Sequence, residues 1–215
     1  MTSTAERDAQ REDLRERIVE AARDIVSEEG LDALSMRALG LRIGHSPGTI
    51  YLHFQDKDEL LRSVMTEGYK RLGESVEAEL AKLGGTAGGL ARYAAMGRGY
   101  ARFALENTGY FRSMFKMPRV AHLDACPEAE SPDTGVPSEG SRSHGTELLR
   151  RASEAGEANV GDPSRAELVG WGLIHGLTSL YLSGHLQDQV SSHEEFMELI
   201  ESAIEAIGQG WLPRQ

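Results

Sequence analysis

The spacing of apolar residues along this chain is helical almost throughout. Near the amino terminus Leu14, Ile18, Ala22 and Ile25 recur at intervals of three or four, which places them on one face of a helix. The same interval returns in later segments, and no segment shows the alternation of apolar and polar residues that is typical of a half-buried strand. The pattern therefore predicts an all-α protein with about nine helices.

Composition and charge exclude several classes of protein. The chain has 215 residues, with 23 basic and 34 acidic side chains and a net charge of −11, which argues against a protein that coats nucleic acid by bulk charge. One cysteine, Cys126, cannot form an internal disulfide and fits a reducing compartment. The polar start lacks the apolar segment of a secretory signal, and residues 168–186 are too polar for a confident membrane span. We therefore expect a cytoplasmic protein with no membrane partner.

Residues 35–57 differ in charge from the acidic segment before them. They contain Arg37, Arg42 and Lys57 against Asp56 alone, a net charge of +2. Two short predicted helices meet there, joined by Gly44-His45-Ser46, as in a helix-turn-helix whose second helix enters the major groove of DNA. Composition alone leaves this interpretation about even with a helical hairpin packed in a core.

The order of residues in this segment favours the first interpretation. Residues 35–39, SMRAL, and residues 46–61, SPGTIYLHFQDKDELL, resemble the DNA-binding domain of the tetracycline-repressor (TetR) family, and the likeness spans about residues 12–61. The resemblance implies a homodimeric transcription regulator, usually a repressor that a small ligand releases from a two-fold-related operator in double-stranded DNA. It divides the chain into a DNA-binding domain, 1–60, and a ligand-binding and dimerisation domain, 61–215. Within the second domain the helical pattern stops over residues 118–143, which are rich in Pro, Ser, Gly, Asp and Glu and are expected to form a flexible loop.

The resemblance also implies a set of DNA-contacting residues. Phosphate contacts are expected from Ser35, Arg37, Tyr51, His53 and Lys57, and a surface against the bases from Ser46, Pro47, Gly48, Thr49 and Leu52. Ile50 and Phe54 are expected in the core. Because residues 46–53 contain no Arg, Lys, Asn or Gln, we expect readout by Thr49, by apolar contact with thymine methyl groups, and by DNA shape. For Arg7 and Arg11 we favour a solvated, frayed terminus over phosphate contacts.

The carboxy-terminal part carries no catalytic motif, metal-ligand spacing or cofactor motif. Trp171, Gly172 and His175-Gly176 resemble the Trp-His-Gly signature of one C-terminal class of the family. Such a domain implies a pocket for an uncharged, partly apolar molecule, although each candidate is also a plausible core residue. The candidates are Tyr69, Tyr93, Met96, Tyr100, Phe103, Met114, Phe115, Trp171 and His175.

The last two predicted helices have more apolar surface than one chain of this size covers easily. In the TetR family they pair with those of a second subunit, and the resemblance implies the same here. The predicted interface comprises Gly172, Gly176, Leu180, Ser183, Phe196, Ile200, Ile204 and Ile207. Two alternatives stay open: a DNA-binding regulator controlled by a partner protein, and a helical enzyme that uses His175.

Overall fold

The structure, a computed structural model, describes residues 4–116 and 144–211. Within those two ranges the chain forms nine α-helices, one short 3-10 turn and no strand, so the all-α prediction is confirmed. The predicted loop 118–143 lies outside the described residues. The helices are α1 Thr4–Glu29, α2 Met36–Ile43, α3 Pro47–Tyr51, α4 Lys57–Leu80, α5 Gly89–Glu106, α6 Thr108–Lys116, α7 His144–Glu154, α8 Pro163–Leu182 and α9 His193–Trp211.

The chain divides into two compact units, the first made of residues 1–68 and 109–128. Its core comes from the apolar face of α1 and from the residues of α2 and α3 that pack beneath it, including Ile18, Leu39 and Ile50, none of which is exposed. The unit also contains most of α6, which the predicted division at residue 60 leaves out.

Helix α6 is held to α1 by polar as well as apolar contacts. The Ser113 hydroxyl donates to the Arg23 carbonyl at 3.1 Å, and the Arg23 guanidinium lies 4.9 Å from the centroid of the Tyr110 ring. Gly68 lies so close to Met114 that a side chain there would displace the thioether. These contacts make α6 part of the first unit's core.

The second unit consists of residues 69–108 and 129–215 and is organised around α5. Helices α7, α8 and α9 all pack against α5, and α8 also packs against α7 and α9. Close crossings depend on glycine: a Cβ at Gly99 would lie 2.6 Å from the Cα of Val76, and one at Gly89 would lie 2.6 Å from the Leu148 carbonyl oxygen. The Ser75 hydroxyl reinforces the first crossing by donating to the Gly99 carbonyl at 2.9 Å.

The glycine-rich loop before α5 faces a carboxylate of its own chain. The backbone N–H of Leu90 donates to the Glu157 carboxylate at 3.3 Å, and a side chain at Gly88 would collide with the same group. The free N–H groups at this helix start therefore face Glu157, which agrees with a structural loop and not with a phosphate cradle.

Three of the four α9 residues predicted for the dimer interface pack against their own chain, which corrects that part of the prediction; the fourth, Ile207, is half-buried. Phe196 and Ile200 are completely buried, and Ile204 packs against α5 in the space that Gly97 leaves free, with its Cδ1 3.5 Å from the Cβ position of that glycine. Helix α8 ends at Leu182, before the end of the uncharged segment 168–186, because Gly184 with φ of 82° leaves the helical conformation. None of the helices in the described parts of the chain is long and apolar enough to cross a membrane.

Candidate nucleic-acid interface

Two short helices, α2 and α3, are fixed by the residues that begin them. Ser35 caps α2 by accepting a hydrogen bond from the Ala38 N–H at 3.1 Å, and Ser46 caps α3 by accepting one from the Thr49 N–H, also at 3.1 Å. Pro47 occupies the first position of α3, where no backbone donor is needed. These caps define the five-residue helix α3 in the place predicted for the recognition helix.

The turn between α2 and α3 depends on two glycines. Gly44 ends α2 in the left-handed conformation, with φ of 73°, which favours glycine. Gly40 lies inside α2, and a Cβ there would be 2.6 Å from the His45 carbonyl oxygen. Sequence reasoning identified the first of these glycines and missed the second, because a glycine within a short helix gives no local signal of what packs against it.

Several residues predicted to contact DNA are exposed to solvent, and the two residues predicted to anchor the recognition helix are buried. Ile50 and Phe54 are buried, as expected, whereas Leu52 is 73% and Tyr51 56% exposed. Among the other predicted contact residues, five are exposed: Ser35, Arg37, Ser46, Pro47 and Gly48. Three are half-buried: Thr49, His53 and Lys57. The Thr49 hydroxyl lies 2.9 Å from the Ser46 hydroxyl, so both polar side chains take part in the cap of α3.

The three cations of the segment 35–57 have different surroundings. Arg42 pairs with two carboxylates at the end of α1, Glu28 at 2.5 Å and Glu29 at 3.1 Å. The Lys57 ammonium donates to the Leu31 carbonyl at 2.8 Å, which holds the start of α4 against the 3-10 turn. Arg37 lies exposed in the first turn of α2. The positive charge available to a ligand on this segment is therefore smaller than its composition indicates.

His53 lies at the border between the recognition helix and α1. Partial burial lowers the pKa of its imidazole below the ordinary value, and the positive charges of Arg11 and Arg15 lower it further. His53 is therefore neutral at pH 7. It also marks a place where the first half of α1 comes close to the predicted DNA surface.

In the second unit the structure brings together three of the predicted ligand-binding residues. The Tyr100 hydroxyl lies 2.8 Å from Nδ1 of His175, whose ring stacks on Trp171 with centroids 5.4 Å apart. Nε2 of the same histidine lies 3.3 Å from the Ser179 hydroxyl. Burial lowers the pKa of His175 and raises that of Tyr100, so this cluster is uncharged at neutral pH.

The other ligand candidates are distributed more widely. The Tyr93 hydroxyl donates to the Glu167 carbonyl at 3.3 Å, and its ring lies 5.9 Å from that of Trp211, which makes it a packing residue between helices. Phe103 is fully buried in the second unit, where Tyr69 and Met96 are half-buried. Met114 is buried in the first unit, to which the exposed Phe115 also belongs.

Helix α8 buries only one narrow stripe of its circumference, formed by Ala166, Gly170, Ile174 and Thr178. On the opposite side nothing lies within 4 Å of the Cβ positions of Gly172 and Gly176. Large apolar side chains flank this open strip, with Leu168 63%, Val169 62% and Leu180 44% exposed. We call these five residues the α8 face. Ser183, also on the predicted interface, is exposed just beyond the last turn.

Two capped helices joined at a left-handed glycine, with the second presented to solvent, define a helix-turn-helix DNA-binding protein. Family models agree with this geometry over most of the chain. Residues 18–64 match the model described as bacterial regulatory proteins of the tetR family, and residues 93–204 match the tetracyclin repressor-like C-terminal domain. The chain belongs to the TetR family of bacterial transcription regulators.

Similar proteins agree with that assignment. The chain is 40% identical over 57 residues to the HTH-type transcriptional regulator UidR of Escherichia coli K12, a match that covers 26% of this chain and 29% of that protein. Over 69 residues it is 36% identical to the regulator BetI of Yersinia pestis, covering 32% and 35% of the two chains. The chain thus spans about a third of the length of these curated relatives.

Solved structures extend the likeness to the whole fold. A protein of unknown function from Rhodococcus sp. RHA1 is 25% identical, with a TM-score of 0.69 over 93% of this chain and 96% of that one. The TetR-family regulator PfmR of Thermus thermophilus is 20% identical, with a TM-score of 0.66 over 92% and 100% of the two chains. The family consists of regulators, so the chain is not an enzyme and the alternative built on His175 as a catalytic base is wrong.

Proposed function

We propose that this protein is a homodimeric repressor that binds a two-fold-related operator and is released from it by a small, uncharged, partly apolar ligand. In this proposal one α3 from each subunit enters successive major grooves on one side of the DNA, about 34 Å apart. The DNA surface is the predicted one, with Ser35, Arg37, Tyr51, His53 and Lys57 near phosphates and Pro47, Gly48, Thr49 and Leu52 near base edges. The exposure of Leu52 is the observation that carries it, because a solvated leucine of this size gains from contact with thymine methyl groups.

The α8 face supports the homodimer. An open strip at Gly172 and Gly176 between exposed apolar side chains allows two helices to approach closely and to bury Leu168, Val169 and Leu180 on both. Because a two-fold axis brings identical surfaces together, the face needs no second surface to complement it. Phe196 and Ile200 are not part of the proposed interface, since both are buried in their own chain.

The cluster of Tyr100, Trp171 and His175 supports the ligand. It combines flat apolar rings with a chain of hydroxyl and imidazole groups and carries no charge at neutral pH. Such a site favours a ligand with an apolar body and one hydrogen-bonding group. Binding would act by shifting the population towards a form in which the two α3 helices no longer match the operator.

The operator is the first thing to test. Purified protein is used to select duplexes from a random pool at two salt concentrations, with the double variant Tyr51→Ala/Leu52→Ala as the matched control. We expect a two-fold-related sequence with the wild type and none with the variant, whose core residues Ile50 and Phe54 are untouched. Enrichment of an asymmetric sequence, or of the same sequence by both proteins, would contradict the proposal.

The ligand is tested once the operator is available. A panel of uncharged aromatic and aliphatic alcohols, ketones and amides is screened for thermal stabilisation and for release of the labelled operator. Hits should lose affinity for Tyr100→Phe, which keeps the ring and removes the hydroxyl. Stabilisation by no compound, or equal affinity for both proteins, would contradict this site and favour control by a partner protein.

A further inference from the structure

The first half of α1 carries three arginines on one face. Arg7, Arg11 and Arg15 are spaced four residues apart, and at about 100° per residue they lie within roughly 80° of one another. Continuing along the helix, the same face becomes the buried stripe that includes Ile18. The arginines therefore extend the core-facing side of α1 beyond the point where the core ends.

Acidic side chains occupy most of the rest of this helical segment. On the same helical projection they begin about 100° from Arg7 and continue to about 260°. They are Glu6, Asp8, Glu12, Asp13 and Glu16. Like charges four residues apart destabilise an isolated helix, and Asp8 and Glu12, each three residues before an arginine of this row, offset part of that cost within the helix.

The basic face leads directly to the predicted DNA surface within the first unit. The Arg15 guanidinium lies 4.7 Å from the centroid of the Phe54 ring and donates to the Ser63 hydroxyl at 3.2 Å. One turn earlier Arg11 is exposed, and its positive charge lowers the pKa of His53, while the neighbouring Glu12 opposes that effect. Arg7 is exposed one turn earlier again. Arg15 thus packs in the protein, while the next two side chains of the same row face solvent beside the recognition helix.

We propose that Arg7 and Arg11 bind DNA phosphates that flank the bases faced by α3, so that α1 forms a helical clamp on the DNA backbone. The proposal rests on the DNA binding proposed above and adds a second contact region to it. It replaces the expectation of a frayed terminus, because α1 is helical from Thr4. In a chain of net charge −11, the exposed Arg11 on the side of α1 towards His53 supplies positive charge where the DNA is proposed to approach.

The test compares charge removal on two faces of the same helix. Arg11→Gln and Arg7→Gln/Arg11→Gln remove charges from the basic face, and Arg17→Gln removes one about 120° away from Arg11. Glutamine forms helices nearly as well as arginine, so the helix is retained, which circular dichroism confirms. Each protein is titrated onto the selected duplex and onto a random-sequence duplex between about 50 and 200 mM salt.

We expect the slope of log affinity against log salt to fall by about 0.9 for Arg11→Gln and by about twice that for the double variant. At about 0.15 M salt this corresponds to roughly a fivefold loss per arginine, equal on both duplexes because phosphates carry no sequence information. Arg11→Lys should keep the slope, and Arg17→Gln should leave it unchanged.

Two results would count against the clamp, and they are distinguishable. Equal slopes for Arg11→Gln, Arg17→Gln and the wild type, with normal binding of the selected duplex, would overturn the clamp and leave the proposed function intact. Failure of the wild type to bind any selected duplex would overturn the proposed function, and the clamp with it.

Discussion

Helices α3 and α8 present the two surfaces proposed to bind DNA and a second subunit, and they differ in how complete one chain makes them. Helix α3 has five residues, a serine cap and a proline at its first position, and its buried residue Ile50 fixes it to the unit below. Helix α8 has 20 residues but buries a single stripe. The first is a finished surface that one chain builds by itself, whereas the second leaves Leu168, Val169 and Leu180 in contact with water.

The two surfaces are stabilised in different ways. The recognition helix is too short to persist alone and depends on capping and on a few buried anchors. The α8 face gains stability only when its apolar area is removed from water by a second body. Substitutions should therefore separate the two surfaces: changes on α8 alter assembly, and changes in or beneath α3 alter DNA binding.

The largest effect is expected from Leu180→Glu on the α8 face. Two copies of the new carboxylate would lie buried near the two-fold axis, so the protein should become monomeric and lose about 10²-fold or more in operator affinity as the two half-sites are uncoupled. Light scattering measures the mass and fluorescence anisotropy the affinity. Gln209→Glu adds the same charge at an exposed position of α9 and should change neither. A dimeric Leu180→Glu protein would contradict the interface.

An effect of similar size, on stability and not on assembly, is expected from Ile200→Ala in the core of the second unit. The residue is completely buried, so its truncation should lower the free energy of unfolding by about 2–5 kcal/mol. Urea denaturation measures this loss, and scattering should still report a dimer under native conditions. If Ile200→Ala instead dissociated the protein with little loss of unfolding free energy, Ile200 would belong to the dimer interface and not to the core of its own chain.

Two glycine substitutions sharpen the comparison within the helix-turn-helix. Gly40→Ala forces a methyl group against the His45 carbonyl and should lower the unfolding free energy by about 1–3 kcal/mol. Gly48→Ala meets only the Ser46 hydroxyl, at 3.6 Å, and should leave stability nearly unchanged while weakening operator binding, because its methyl group faces the DNA. Thermal denaturation and anisotropy give both quantities. Equal behaviour of the two variants would show that α3 does not face the DNA as proposed.

The smallest effect concerns pH and His175. Burial lowers the pKa of this histidine in the folded protein, and the unfolded chain keeps the ordinary value near 6.5. Below that pH His175 is protonated in the unfolded chain but stays neutral in the folded protein. The free energy of unfolding therefore falls as the pH falls. This one group contributes at most about 1.4 kcal/mol per pH unit to that fall. His175→Gln should reduce this slope between about pH 6.5 and 5 relative to the wild type. Identical slopes in urea denaturation would mean that His175 titrates normally.

The sequence was sufficient to predict helices, caps and turns, but not to predict which helices pack against one another. The caps and the turn were predictable because their residue types are typical of those positions: serine at a helix cap, proline at a first helical position and glycine at a helix end. The residues are Ser35, Ser46, Pro47 and Gly44. The stripe of α9 was correctly read as apolar, but periodicity cannot say whether Phe196 and Ile200 face the same chain or another. The stripe packs against α5, whose Gly97 makes room for Ile204 from more than a hundred residues away, and against α8, whose Tyr181 ring stacks on Phe196 with centroids 4.3 Å apart.

Charge was the second limit of sequence reasoning. The net charge of segment 35–57 counted Arg42 as available, whereas the fold pairs it with Glu28 and Glu29 on α1. Conversely, Arg7 and Arg11 alternate with acids along the chain, and only the helix places them in one row with Arg15. In both cases the neighbours that decide the electrostatics are neighbours in space.

In the proposed dimer two α3 surfaces act together because two α8 faces pair. A decisive experiment measures the wild-type affinity and stoichiometry on the selected two-fold duplex and on a duplex of equal length in which one half-site is scrambled. We expect two subunits on the intact site and an affinity about 10²-fold or more above that for the single half-site. Equal affinities, or one subunit bound to each duplex, would contradict the proposed dimer.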